Sequence, residues 1–220
     1  MLTPLNAELP QPRLIAEKIS CQRGELRLIN DLDFSLHPQQ LLRIIGANGS
    51  GKTSLLRIIA GLNEPVSGHV YWNEQLASAS DDFAANVGYI GHRDGLKGSL
   101  TVIENLQFYQ QMHTSLNIGS IEKTLHQLGI LHVAELPASR LSFGQRRRLA
   151  FARLLVAPLT LWLLDEPFTG IDVSGRELIE QICVDHLTQQ GMIIMTHHGS
   201  LDDSPLQPYE QQLILQDNNG

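Results

Sequence analysis

One eight-residue loop limits what this chain can fold into more than any other feature. Gly46-Ala47-Asn48-Gly49-Ser50-Gly51-Lys52-Thr53 fits the pattern G-x-x-x-x-G-K-[ST] at every fixed position. An apolar run, Leu41 to Ile45, precedes it. A helical pattern from Thr53 to Ala60 follows, with Leu55, Leu56 and Ile59 on one face. Strand, glycine-rich loop and helix, in that order, is the context in which this pattern cradles phosphate. The glycines permit conformations in which successive N–H groups point at phosphate oxygens, and the helix N-terminus adds a favourable dipole. Lys52 is expected on the β- and γ-phosphates, the Thr53 hydroxyl on Mg²⁺, and Ser54 at the same helix start. ATP with Mg²⁺ is therefore the expected ligand.

The rest of the chain reads as a parallel α/β core with a mostly helical insertion from about 99 to 157, in a single domain over 1–220. Residues 1–12 read as a loose extension. Strands are expected at Leu14 to Ser20, Leu32 to Leu36, His69 to Trp72, Val87 to Ile90, Leu161 to Leu164 and Met192 to Thr196, with a last edge strand at Gln212 to Leu215. Thr101 with Glu104, and Ser142 with Gln145, have capping-box spacing, so helices are expected over Val102 to Met112 and from the second box through Val156. Ser120 is a candidate cap for a helix running to Gly129, and a further helix is expected from Val173 to Gln190.

Leu161-Trp162-Leu163-Leu164-Asp165-Glu166 is an apolar run closed by two acids. Asp165 then emerges at the end of a central strand, where open α/β sheets bind ligands, as a partner for Mg²⁺. Glu166 stands where it can orient or deprotonate the attacking water. A second loop, Leu141-Ser142-Phe143-Gly144-Gln145, leads into Arg146-Arg147-Arg148, a basic run read as a solvated helix face with one residue helping the phosphate region.

A net charge of −7 and a pI near 5.7 argue against a general nucleic-acid surface. Cys21 and Cys183 fit no metal-ligand spacing and read as packed thiols in a reducing compartment. No stretch approaches the ~20 apolar residues that cross a bilayer. The N-terminus, with Pro4, Pro10 and Pro12, has no signal pattern. A cytoplasmic chain is expected, with any spanning helices supplied by a separate subunit.

Gly46–Thr53, Leu141–Gln145 and Leu161–Glu166, in this order and spacing, resemble the ATPase subunit of ABC transporters. The resemblance implies an α/β fold with a P-loop NTPase core of the ABC ATPase type, a helical subdomain and an N-terminal antiparallel β part. It implies a dimer in which Ser142, Gly144 and Gln145 of one copy close over the nucleotide of the other, and a separate integral membrane permease subunit. Phe143 stands where the family's usual L-S-G-G-Q has its first glycine. Asp172, in Thr169-Gly170-Ile171-Asp172, matches the acid of the dimer-contact loop. His197 matches the switch histidine that contacts the γ-phosphate and Glu166; His198 is its neighbour. Two positions depart from the family pattern. Arg23 occupies the place of the aromatic residue that stacks on adenine, and a guanidinium plane also stacks on bases. His92 stands in the place of a glutamine, where a neutral imidazole is expected to contact water or Mg²⁺ and to make that step pH-sensitive.

Tyr89–His92 with Leu100–Leu106, Leu141–Ala150 and Asp165–Asp172 further resemble the ATP-binding subunit of the haem exporter of c-type cytochrome maturation. That resemblance implies a peripheral ATPase on the cytoplasmic face of the inner membrane, driving haem export or release of a haem-loaded chaperone, with haem-handling maturation proteins as partners. None of the nine histidines pairs with a cysteine in a haem-attachment motif. Three alternatives stand beside this reading: an ABC ATPase of another exporter or importer, a soluble ABC-type ATPase acting on nucleic acid or ribosomes, and a regulatory protein that holds ATP without turnover. A single copy of each motif argues against the ribosomal type, and intact Glu166 and His197 argue against the last.

Overall fold

Two sheets with opposite sequence patterns organise the chain. The structure, a computed structural model, describes residues 14–112, 121–157 and 159–216. The expected extension over 1–12 and the cap at Ser120 lie outside them. The chain opens on a hairpin of β1 (Leu14–Arg23) and β2 (Leu26–Leu36) and enters the centre as β3 (Leu41–Ile45) and α1 (Lys52–Ile59). It returns through β4 (Ser67–Trp72) and β5 (Gln75–Leu76), then α2 (Asp81–Asn86) and β6 (Val87–Ile90). Three helices follow, α3 (Val102–Gln111), α4 (Ile121–Gln127) and α5 (Phe143–Leu155). The core closes with β7 (Leu161–Asp165), α6 (Val173–Thr188), β8 (Met192–Thr196) and β9 (Glu210–Ile214).

β6-β7-β8-β3-β9 form a sheet in which every pairing is parallel; β2-β1-β4-β5 form an antiparallel one. The edge strand β9 is largely exposed, whereas the central strands β3, β7 and β8 are buried on both faces, which is why they read as near-continuous apolar runs. Their side chains alternate between two cores. Leu161, Leu163, Met192, Ile194, Leu42 and Ile44 face α1 and the antiparallel sheet. Trp162, Leu164, Ile193, Met195 and Leu41 face the helical layer, where Val102, Leu106, Leu125, Leu149 and Ile179 close the packing. Burying a side chain of this size stabilises the fold by about 1.5–3 kcal/mol.

Both capping boxes form as expected, at Thr101/Glu104 and Ser142/Gln145. The first strands run longer than their sequence pattern suggests, because the hairpin turn is confined to Gly24-Glu25, with Gly24 at φ 62°. A bulge near Lys18 breaks the alternation of β1. There Gly68 (φ 88°) lies so close to the Lys18 carbonyl that no Cβ fits. The six-residue α2, capped by Ser80, has too few turns to show a period, and the sequence pattern misses it. The last strand begins at Glu210, two residues early, because Glu210 pairs with Leu41. Leu215 turns inward beyond its end.

Candidate active site

The phosphate loop leaves the C-terminal end of β3 and runs into α1. Gly49 (φ 90°) and Gly51 (φ 101°) hold conformations that side-chain-bearing residues rarely adopt. Gly51 is the N-cap of α1 and provides no side-chain cap. Gly46 packs against the Ser50 hydroxyl too closely for a Cβ. That hydroxyl is buried without a hydrogen-bond partner. An orphaned donor inside a glycine cradle at a helix N-terminus suits an anion. Lys52 is buried at the same place, its Nζ donating to the carbonyls of Gly46 (2.7 Å) and Ala47 (2.9 Å).

Sheet order brings the two acids to this loop. Asp165 ends β7 and lies opposite Thr196 of β8, the strand beside β3. Thr53 Oγ1 donates to Asp165 Oδ2 (2.9 Å), and Thr196 Oγ1 donates to Oδ1 (2.8 Å). The same Thr196 hydroxyl accepts from the Glu166 N–H (2.8 Å). Among the described residues no cluster of three or more His, Cys, Asp or Glu can hold a metal by itself. The Thr53 and Asp165 oxygens fit Mg²⁺, which takes one or two protein oxygens and completes its octahedron with phosphate and water.

Glu166 sits at φ 49°, a left-handed conformation costly for a residue with a Cβ. Its Oε2 accepts from Thr169 Oγ1 at 3.4 Å. Its Oε1 is buried, and His198 Nε2 approaches it to 3.2 Å without the alignment of a hydrogen bond, which leaves the oxygen's acceptor capacity open. Burial raises the Glu166 pKa, a nearby Asp165 adds to the rise, and His198, Lys52 and Thr169 oppose it. A carboxylate shifted this way is a stronger base toward water.

These groups line a cleft of about 240 Å³ formed by Arg23, Leu28, Asn48, Gly49, Gly51–Ser54, Asp165, Glu166 and His198. A larger hollow of about 540 Å³ lies at the other end of the sheet, beside Trp162 and His186. Chemistry, not size, identifies the site.

Arg23, at the end of β1, lines the cleft as a base-stacking residue must. His92 does not: it is exposed in the bend after β6. Ser142 accepts from the Gln145 N–H (3.2 Å) and Gln145 Oε1 accepts from the Ser142 N–H (2.9 Å), so the second loop is capped by its own residues. Ser142, Gly144 and Gln145 do not line the cleft of their own chain. Asp172 caps α6, accepting from Gly175 N–H at 3.0 Å.

The expected contact of His197 with Glu166 is replaced by that of His198. His197 packs edge-on against Phe168 (centroids 5.3 Å apart), its Nε2 buried without a partner, and burial lowers its pKa to about 4. The solvated face expected for the three arginines is also corrected. Arg147 is buried, and all five of its N–H groups are used: on the carbonyls of Pro167, Gly91, Asp165 and Glu166 and on Asp94 Oδ1. Arg146 donates to the Leu141 carbonyl, and Arg148 to that of Leu128. The signal was present: Arg147 shares helical spacing with the buried Ala150, Phe151 and Leu154. Thr196, which joins the two acids, is a further residue that motif reading missed.

A family model described as ABC transporter matches residues 29–169. The cytochrome c biogenesis ATP-binding export protein CcmA of Nitrosomonas europaea is 43% identical over 194 residues, covering 87% of this chain and 91% of that protein. Its counterpart from Escherichia coli K12 is 40% identical over 190 residues, with 86% and 90% covered. Among solved structures, the ATP-binding subunit of an ABC transporter superposes with a TM-score of 0.81 at 21% identity, over 92% of this chain and 85% of that one. A dimeric ATP-binding cassette in a post-hydrolysis state, bound to ADP and Pi, gives 0.79 at 21% identity, over 93% and 94%. At that identity these two show a shared fold.

Proposed function

Because the chain belongs to the ABC transporter family, we propose that it hydrolyses ATP to drive haem export, or release of a haem-loaded chaperone, in c-type cytochrome maturation. ATP hydrolysis coupled to transport is the activity of the family. The observation that carries the finer reading is 40–43% identity to CcmA proteins over most of both chains.

In the reaction, the β- and γ-phosphates occupy the amide cradle of Gly46–Thr53, and Lys52 turns from its two carbonyl partners to them. Thr53 and Asp165 would hold Mg²⁺, which would supply charge neutralisation at the phosphates. Glu166 Oε1 accepts a proton from the attacking water as its oxygen bonds to the γ-phosphorus. The bond to the β–γ bridging oxygen breaks, and ADP and inorganic phosphate leave. Catalysis is positioning and charge neutralisation rather than covalent chemistry. Arg23 stacks its guanidinium on the adenine, while His92, outside the cleft, would contact water or Mg²⁺ only if the loop after β6 brings it in. Ser142, Gly144 and Gln145 reach the nucleotide of a second copy, with Asp172 in the loop between the two copies. All these residues belong to a single unit over 1–220.

No helix among the described residues is long and apolar enough to cross a membrane. In this reading the spanning segments belong to a separate permease subunit and the ATPase is peripheral on the cytoplasmic face of the inner membrane, a placement supported by the likeness to CcmA proteins. Membranes from cells carrying tagged Glu166→Gln protein, solubilised with ATP present, test this. Recovery of a spanning subunit with haem-handling cytochrome-maturation proteins is expected. An unrelated permease replaces the cargo and keeps the ATPase. Ribosomes or nucleic acid without a membrane protein overturn the transport reading.

A further inference from the structure

We propose that Phe143 and Gly170 form an interlocked pair that joins the start of α5 to the loop before α6, so that Ser142 and Asp172 meet a second copy as one preformed face. Phe143 is then a positioning residue. The inference rests on the dimer reading above, and it concerns the residue that departs from the usual glycine of L-S-G-G-Q.

The contact needs both partners. The Phe143 ring lies over the α-carbon of Gly170, where a Cβ would meet ring atoms Cε1, Cδ1 and Cζ at 2.6, 3.1 and 3.3 Å. Gly170 also holds φ 73°, a conformation that disfavours a side chain. The missing side chain at 170 leaves room for the ring, and a glycine at 143 would leave that room unfilled. The ring is mounted on firm backbone, because Phe143 is the first residue of α5, directly after the Ser142 capping box.

The loop it meets is otherwise lightly held. Thr169 N–H donates to the Glu166 carbonyl (3.3 Å), and Asp172 accepts from Gly175 N–H (3.0 Å). Between them, among the described residues, Gly170 makes no hydrogen bond. A second tie to α5 runs from Arg148 Nη2 to Asp172 Oδ1 at 3.9 Å, but the Asp172 side chain is 72% exposed, so solvent screens it. The ring contact is not screened. Without it the loop is free to sample other conformations, and ordering it when two copies meet costs affinity. With it the loop is ordered before the second copy arrives.

The test uses full-length Glu166→Gln protein as parent. It reads the dissociation constant of the ATP-dependent dimer by sedimentation, ATP affinity and melting temperature of the monomer, and hydrogen exchange over 169–172 in the monomer. A parent that forms no dimer with ATP overturns the dimer reading, and this inference with it. Phe143→Ala is expected to raise the dimer dissociation constant on the order of tenfold, with monomer ATP affinity and melting temperature unchanged, since the ring is half exposed. The same change is expected to speed exchange at 169–172 in the monomer on the order of tenfold. Phe143→Leu, which keeps apolar bulk over Gly170, recovers part of both losses. Gly170→Ala is expected to weaken the parent's dimer on the order of tenfold and to cost Phe143→Ala protein less, because no ring remains to displace. Unchanged exchange in the Phe143→Ala monomer overturns the inference even where the dimer weakens, for the ring then acts only by touching the second copy. An equal cost of Gly170→Ala with and without the ring also overturns it.

Discussion

Two helix N-termini in this protein, the start of α1 at the phosphate loop and the start of α5, differ in how they are left. α1 begins at Gly51, which provides no side-chain cap, and around it the Ser50 hydroxyl is orphaned and Lys52 is buried. α5 begins at Ser142, where a capping box closes donors and acceptors on one another. The first end is held by tertiary contacts that run through Thr53, Asp165 and Thr196. The second is held by four consecutive residues and presents Phe143, 47% exposed, to solvent. The first is thus preorganised for an anion within one chain. The second is satisfied without a ligand; in the dimer proposed above it would exchange these internal bonds for phosphate. In that reading ATP binds one chain before two chains close.

The largest test of this contrast is Glu166→Gln. It is expected to lower turnover by about 10²–10⁴-fold, the worth of a general base, while ATP affinity at the α1 end stays within a small factor. ATP should then accumulate a dimer, seen by light scattering. Ser142→Ala comes next. Loss of one hydrogen bond to charged phosphate, about 1.5–3 kcal/mol, predicts a 10- to 10²-fold fall in turnover. ATP titration of the monomer should be unchanged; weakened monomer binding would break the comparison.

A third experiment separates chemistry from stability. His186, stacked on Trp162 at 3.8 Å and remote from both helix ends, has its pKa lowered to about 4 by burial. The folded state keeps the ring neutral while the unfolded chain protonates near 6.5, so this contribution is complete above pH 6.5 and lost as pH falls toward 4. The full shift corresponds to about 3 kcal/mol, and a ring partly open to solvent realises roughly half of it. Urea titrations of His186→Gln should show a flatter pH dependence than wild type between pH 6.5 and 4. The smallest effect belongs to Gln145→Ala, which opens one arm of the capping box. About 0.5 kcal/mol lowers the melting temperature by about 1–2 °C in a domain of this size, measured by calorimetry.

The contrast also explains what was legible in the sequence. The phosphate loop and both capping boxes are local patterns, so spacing alone locates them. The central parallel strands β3, β7 and β8 are visible as apolar runs because burial on two faces removes alternation. Tertiary facts were hidden. A buried arginine has the same letter as a solvated one, and Arg147 was distinguishable only by its phase with Phe151 and Leu154. The choice between His197 and His198 depends on how the chain leaves β8 and on Arg43, whose partners Gly199 and Glu210 lie more than 150 residues away. The six residues of α2 are too few for periodicity to register.

Arg147 has a mechanical consequence. Its planar guanidinium is stiff, and its five donors are divided between two chain segments: Gly91 with Asp94 after β6, and Asp165 to Pro167 after β7. The group itself is mounted on α5, two residues past Gln145. Such a joint has almost no backlash. A hydrogen bond tolerates only a few tenths of an ångström before it weakens, so a larger displacement of any one of the three bodies either carries the others with it or breaks the joint. A displacement of the loop after β6 is therefore coupled through Arg147 to the segment that carries Glu166 and to α5 itself.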